Sequence, residues 1–209
     1  MKKIIAVDGP AGAGKSTVSK IVAKSLGYTY IDTGAMYRAV ALKVLQSGKP
    51  VENVTRDIEI KLDDAARVFL DGMEVTKEIR TPEISRGASD VAKLGFVRKK
   101  LTELQRAMAH QGKVIMDGRD IGTQVLPNAD LKIFLTATVD ERARRRFEEL
   151  RLKGIAADFE QVREEIILRD KQDSTREIAP LAQAEDAILL DSTHLTIDEV
   201  VAEILRMAR

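Results

Sequence analysis

One stretch near the N-terminus limits what this chain can fold into more than any other: Gly9-Pro10-Ala11-Gly12-Ala13-Gly14-Lys15-Ser16, which satisfies G-x-x-x-x-G-K-[ST]. Glycines let a backbone curl around a polyphosphate with its N–H groups turned inward, and a helix starting there offers its positive N-terminus. On this reading the backbone from Gly9 to Thr17 cradles the phosphates of a nucleoside triphosphate. Lys15 reaches the β and γ oxygens, and the Ser16 hydroxyl sits on Mg²⁺. The bland alternative is a flexible glycine turn. A chance match somewhere in such a chain is expected about once in a hundred sequences, so context decides. The apolar run Ile4-Ile5-Ala6-Val7, closed by Asp8, reads as a buried strand just before the loop. Val18, Ile21, Val22 and Leu26 recur at helical spacing just after it, with Gly27 as a stop. Strand, glycine loop, helix is the order that phosphate binding requires.

The rest of the chain continues that alternation. Tyr28–Ile31, Val114–Met116, Leu131–Leu135 and Ala187–Leu190 read as further buried strands. Helical spacing covers Ala35–Leu45, a region opened by Pro82, about Phe96–Gln111, and roughly Asp140–Lys153, Phe159–Lys171 and Ile197–Met207. Buried strands alternating with helices predict a doubly wound α/β fold with a parallel sheet. Val68-Phe69-Leu70, Asp71-Gly72 and Met73-Glu74-Val75 break the rhythm as a hairpin with an Asp-Gly turn, a small excursion from the sheet. With 209 residues, one domain is expected.

Two further features bear on phosphate chemistry. Asp117 closes the strand Val114-Ile115-Met116, where a carboxylate can help hold Mg²⁺ through water. Such an aspartate alone is more often a turn former; paired with the glycine loop, the metal-side reading prevails over it and over Asp8. The second feature is a basic run, Arg142, Arg144, Arg145, Arg146, Arg151 and Lys153, followed by Arg169, Lys171 and Arg176. Glu141, Glu148 and Glu149 interleave with it, so most of these arginines belong to a solvated helix face. Some must lie off that stripe, because consecutive helical residues face different directions. A closing lid would bring such cations over a γ-phosphate.

The formal net charge is +1, so no global field marks a nucleic-acid or membrane partner. The chain has no Cys, and its N-terminal apolar run ends at Asp8, too short for a secretion signal. A cytoplasmic location is expected. A GTPase switch would carry D-x-x-G and N-K-x-D, and neither occurs. A mechanical ATPase usually needs more chain. A small-molecule kinase is favoured.

Three segments then carry a resemblance: Asp32-Thr33-Gly34-Ala35-Met36-Tyr37-Arg38, Asp117-Gly118-Arg119-Asp120-Ile121-Gly122-Thr123, and Asp173-Ser174-Thr175-Arg176. With the glycine loop they make the chain similar, essentially end to end, to the bacterial cytidylate kinases, which move the γ-phosphoryl of ATP onto CMP or dCMP. The resemblance implies a five-stranded parallel core, a CMP-binding insertion at about 58–98 and a lid at about 144–170. By the same resemblance Thr33 lies near the monophosphate, with Tyr37 and Arg38 at the CMP phosphate. Ser89, Arg98 and Asp120 read cytosine; Arg119 and Arg176 hold phosphate; Arg169 and Asp173 engage the ribose side. Lys15, Arg119, Arg145, Arg146 and Arg176 form the implied catalytic set, and Ser16 and Asp117 the magnesium side. ATP and Mg²⁺ are the implied donor and metal, CMP and dCMP the partners, and the chain a monomer. Cytosine's exocyclic amine suits the Asp120 carboxylate, while Ser89 and Arg98 can donate to N3 and O2. The chain is at the short end for the family, with the missing length between about 60 and 80. His110 and His194 have no ligand-like spacing and are assigned to surface or helix-end positions.

Overall fold

The computed structural model describes residues 4–63 and 65–208. Strands β1 (Ile4–Asp8), β2 (Thr29–Asp32), β6 (Val114–Gly118), β7 (Leu131–Thr136) and β8 (Ile188–Asp191) form a five-stranded sheet in the order β2-β6-β1-β7-β8. All its pairings are parallel. The runs Ile4–Val7, Val114–Met116 and Leu131–Leu135 are the central strands, covered on both faces. Ala187–Leu190, also read as buried, is instead the edge strand β8, where Ile188 and Leu189 are exposed because no further strand covers that side. Successive residues serve opposite layers. Ile5, Val7 and Ile115 pack with α1 (Lys15–Leu26) and α8 (Ile197–Ala208), whereas Ala6, Val114 and Met116 face Ile121 and Val125. Register places Asp32 beside Asp117 and Asp8 beside Gly118, so three strands deliver aspartates to one edge. In open α/β sheets that carboxyl edge is where ligands bind.

Several boundaries differ from the sequence reading. The second strand starts at Thr29, because the Tyr28 N–H still donates to the Ala23 carbonyl in the helix cap. Helix α2 (Thr33–Ser47) starts two residues before Ala35, since Asp32 caps it by accepting from the Ala35 N–H at 2.8 Å. Helix α5 (Gly95–Ala109) ends with His110 as its exposed C-cap. Helices α6 (Val139–Leu152) and α7 (Phe159–Thr175) match the expected pair, with α7 running one turn longer.

The excursion from the sheet is larger than the hairpin alone. Helix α3 (Val51–Asp57) and strand β3 (Ile60–Leu62) precede it, both too short to show a period. β3, β4 (Val68–Leu70) and β5 (Met73–Glu74) make an antiparallel three-stranded sheet. Asp71 and Gly72 have φ of 49° and 83°, the left-handed pair that a tight hairpin needs. A 3₁₀ turn (Glu78–Arg80) leads to α4 (Pro82–Val91), which begins on Pro82 and is capped by Thr81. This segment packs onto α2 and α5 through one continuous cluster that includes Met36, Val40, Leu70, Ile79 and Leu101.

Candidate active site

The glycine loop closes over the end of β1. Gly9 lies against β7 so tightly that a Cβ would meet the Leu135 carbonyl oxygen at 1.9 Å, and its φ of 149° is open to glycine alone among common residues. Gly14, at φ 88°, precedes α1, and no side chain caps that helix. Its N-terminal N–H groups are thereby left for an anion. Lys15 is buried and folds over its own loop, Nζ donating to the carbonyls of Gly9 at 2.8 Å and Pro10 at 2.7 Å. Burial, reinforced by repulsion from Arg119, pulls its pKa well below the usual lysine value. A polyphosphate would relieve both effects.

Beside the loop, Asp117 gathers hydroxyl groups. Ser16 Oγ donates to its Oδ2 at 2.8 Å, and Tyr30 OH donates to its Oδ1 at 3.1 Å. Thr33 Oγ1 donates to its main-chain carbonyl at 2.7 Å. Burial, together with the Asp32 charge next door, pushes the Asp117 carboxyl up to about 6. Such a carboxylate favours any nearby cation.

Asp120 follows in the same turn and ion-pairs with Arg98 and Arg176, the latter at 3.2 Å; all three side chains are buried. Arg98 also sits over the Tyr37 ring, 5.5 Å from its centroid. Burial pushes the Tyr37 phenol up to about 12. Arg119 Nε donates to Asp173 at 2.8 Å. Arg169 forms no ion pair among the described residues, and its Nε has no hydrogen-bond partner. Burial lowers its pKa to about 10, with Arg119 adding repulsion. Arg38 pairs with Asp32 at 2.9 Å. Ser89 keeps only a long contact of 3.4 Å to the Ser85 carbonyl. The loop from Ala11 to Thr17, these side chains, and Arg145 and Arg146 all line one cleft of about 1190 Å³. A buried group of guanidiniums with too few carboxylates is a receptor for anions.

Arg145 and Arg146 line the same cleft but are engaged with other partners. Arg145 pairs with Glu141 and donates to the Ser192 carbonyl at 2.6 Å, beside Ala13, and Arg146 pairs with Glu149 at 2.7 Å. Asp8 serves the backbone. Its carboxylate accepts from the N–H groups of Ile121 at 2.8 Å and Gly122 at 2.7 Å, pinning the π turn Ile121–Val125 that follows Asp120. His194 is exposed at the rim of the cleft.

Three contributors were not legible as such. Arg142 reads as part of a solvated run but is buried, donating to the carbonyls of Ala137 at 2.9 Å and Ala11 at 3.0 Å and pairing with Asp170 at 2.7 Å. It ties the glycine loop to α6 and α7. Arg80 crosses from the insertion to Asp32 at 3.1 Å. Tyr30, the third, showed only as a strand residue. Arg142 had one available signal: consecutive helical residues face different directions, so some arginines of the run had to leave the solvated stripe, and Ala143 beside it is fully buried in the structure.

A family model described as cytidylate kinase matches residues 5–209. A cytidylate kinase from Caldicellulosiruptor bescii is 58% identical over 99% of this chain and 96% of its own length. One from Caldicellulosiruptor saccharolyticus is 57% identical with the same coverage. Among solved structures, a shikimate kinase from Bacteroides thetaiotaomicron aligns over 99% of this chain and 98% of its own with a TM-score of 0.53. At 14% identity it speaks for the P-loop kinase fold alone.

Proposed function

This chain belongs to the cytidylate kinase family and transfers the γ-phosphoryl group of ATP to CMP or dCMP, and from that premise we propose how its own residues divide the work. The observation that carries the proposal is the meeting, in one cleft, of the glycine loop with the Arg98–Asp120–Arg176 cluster and the unpartnered Arg169. ATP occupies the loop from Gly9 to Thr17, drawing Lys15 off the Gly9 and Pro10 carbonyls and onto the β and γ oxygens. CMP or dCMP enters under α4, its base against Ser89, Arg98 and Asp120. Its phosphate lies among Thr33, Tyr37, Arg38, Arg119 and Arg176, and its sugar toward Arg169 and Asp173.

In the transfer a phosphate oxygen of CMP forms the new bond to the γ-phosphorus as the bridging oxygen of ATP leaves with the electron pair, giving ADP and CDP. The attacking group is already anionic, so the chain need supply no strong base. Lys15, Arg119 and Arg176 hold the charge that spreads over the transferring oxygens. Arg145 and Arg146 leave their glutamate partners as the lid, about 144–170, closes and excludes water.

Ser16 and Asp117 fit magnesium. Both offer oxygen only, they touch one another, and the buried carboxylate lacks a full counter-charge. Mg²⁺ bound there with ATP would neutralise charge on the β and γ oxygens. The acceptor-binding insertion spans about 58–98, and the chain works as a cytoplasmic monomer on small molecules, needing neither nucleic acid nor membrane. Among the described residues no helix is long and apolar enough to cross a membrane. A panel of nucleoside monophosphates with ATP and Mg²⁺ tests the assignment. CMP and dCMP should far outpace UMP, AMP and GMP, and equal turnover of AMP would overturn the base-reading set.

A further inference from the structure

Asp117 has two carboxylate oxygens, and this structure gives each its own hydroxyl donor. Ser16 takes Oδ2, and Tyr30, from the neighbouring strand β2, takes Oδ1. Parallel pairing of β2 with β6 sets Tyr30 opposite Ile115 and Asp32 opposite Asp117, so Tyr30 lies two residues behind the carboxylate, on the same face of the sheet. Its ring is packed in the core with only 5% exposure, which leaves the hydroxyl little freedom to look elsewhere. The ammonium of Lys20 stands 5.7 Å from the ring centroid. A cation over the ring draws electron density from the phenol and strengthens its O–H as a donor.

We propose that Tyr30 is a positioning residue for the magnesium side of the site, holding Oδ1 of Asp117 so that Oδ2 is presented, with Ser16, toward the metal of the incoming triphosphate. Asp117 ends a strand, and a carboxylate there can rotate about two side-chain bonds. Without the Tyr30 hydrogen bond its plane is set by Ser16 alone, and Ser16 must reorganise when the nucleotide arrives. Tyr30 touches neither nucleotide nor metal and acts through Asp117 only. Partners that orient a metal-side carboxylate typically matter about tenfold or more in metal affinity. The inference rests on reading Ser16 and Asp117 as the magnesium side.

The test compares Tyr30→Phe and Asp117→Asn with the parent chain, using calorimetry of an imido-bridged ATP analogue in EDTA and in Mg²⁺. The ratio of the two affinities reports the metal-dependent gain. In Tyr30→Phe that gain should fall about tenfold, while affinity in EDTA and KM for CMP stay at the parent values. Asp117→Asn should abolish most of the gain. An unchanged gain in Tyr30→Phe beside a collapsed gain in Asp117→Asn would overturn the role of Tyr30 and leave the magnesium reading standing. Equal losses in EDTA and in Mg²⁺ would show a packing role only, which also overturns it. An unchanged gain in Asp117→Asn would remove the reading on which the inference depends.

Discussion

Lys15 shows how one residue is prepared for a ligand by being badly placed without it. Its ammonium is buried, crowded by Arg119, and satisfied only by two carbonyls of its own loop. The β and γ oxygens of ATP are better partners, so Lys15→Ala should fold and yet lose transfer by about a hundredfold or more, read as kcat with saturating ATP and CMP. Turnover near the parent rate would remove Lys15 from the chemistry. The two aspartates of the Asp117–Asp120 turn should separate just as cleanly. Removing the whole Asp120 side chain would strand Arg98 and Arg176 in the interior, a loss that destabilises a fold by about 3–5 kcal/mol. Asp120→Asn is the sharper change, because it keeps shape and supplies a donor where the proposed binding mode puts the amine of cytosine. The ratio of kcat/KM for CMP over UMP should fall by at least about a hundredfold. Asp117→Asn should slow both substrates together. The opposite pattern in steady-state assays would mean that the two roles are exchanged.

Among the elements, the α6–α7 pair is the proposed lid. It has its own small core of Ala143, Leu150, Val162 and Ile166, and its far end turns at Gly154 with Leu152 86% exposed. Few apolar contacts beyond that core lower the cost of local opening. The near end is tied down by Arg142, which joins Ala11 to Asp170. Hydrogen exchange over about 144–158 should therefore be fast with CMP alone and slow with a bisubstrate analogue, whereas the segment around Arg142 stays protected throughout. Equal exchange in all states would mean that the arginine run is only a solvated face. Arg142→Lys cannot keep the fork of contacts. It should lower stability in urea by about 2–3 kcal/mol, and an unchanged midpoint would show that the strut carries little.

At the scale of the whole molecule, the carboxyl edge of the sheet holds more buried charge than stability alone would select. Burial pushes Asp8 up to about 6, against the pull of the N–H groups of Gly122 and Ile121. A folded-state pKa above the unfolded one means that the folded chain binds more protons between pH about 4 and 6. The Asp8 contribution to stability must then fall as pH rises through that window and stay level above it. Urea melts of the parent and Asp8→Asn should differ by an amount that changes between pH 4 and 6, up to about 3 kcal/mol, and is constant above pH 7. A difference independent of pH would mean that the Asp8 carboxyl titrates alike folded and unfolded. The molecule tolerates this cost because Asp8 anchors the π turn beyond Asp120, and that turn shapes the site.

What the sequence determined by itself is whatever a few neighbouring residues specify: the glycine loop, the alternation of buried strands and helices, the Asp71-Gly72 turn and the three segments that carry the family. Each is a local pattern, since φ preferences, helical spacing and strand burial act over a handful of positions. The elements it missed, Val51–Asp57 and Ile60–Leu62, are too short to repeat, and they exist because α2 and α5 offer them an apolar surface. The site's supports were decided by tertiary structure alone. Asp8 meets Gly122, Ser16 and Tyr30 meet Asp117, and Arg142 meets Ala11 across 114, 101, 87 and 131 positions respectively. No periodicity links residues so far apart. Strand order and register bring them together, because burying the apolar faces of β1, β2 and β6 leaves their carboxyl ends with one shared edge to occupy.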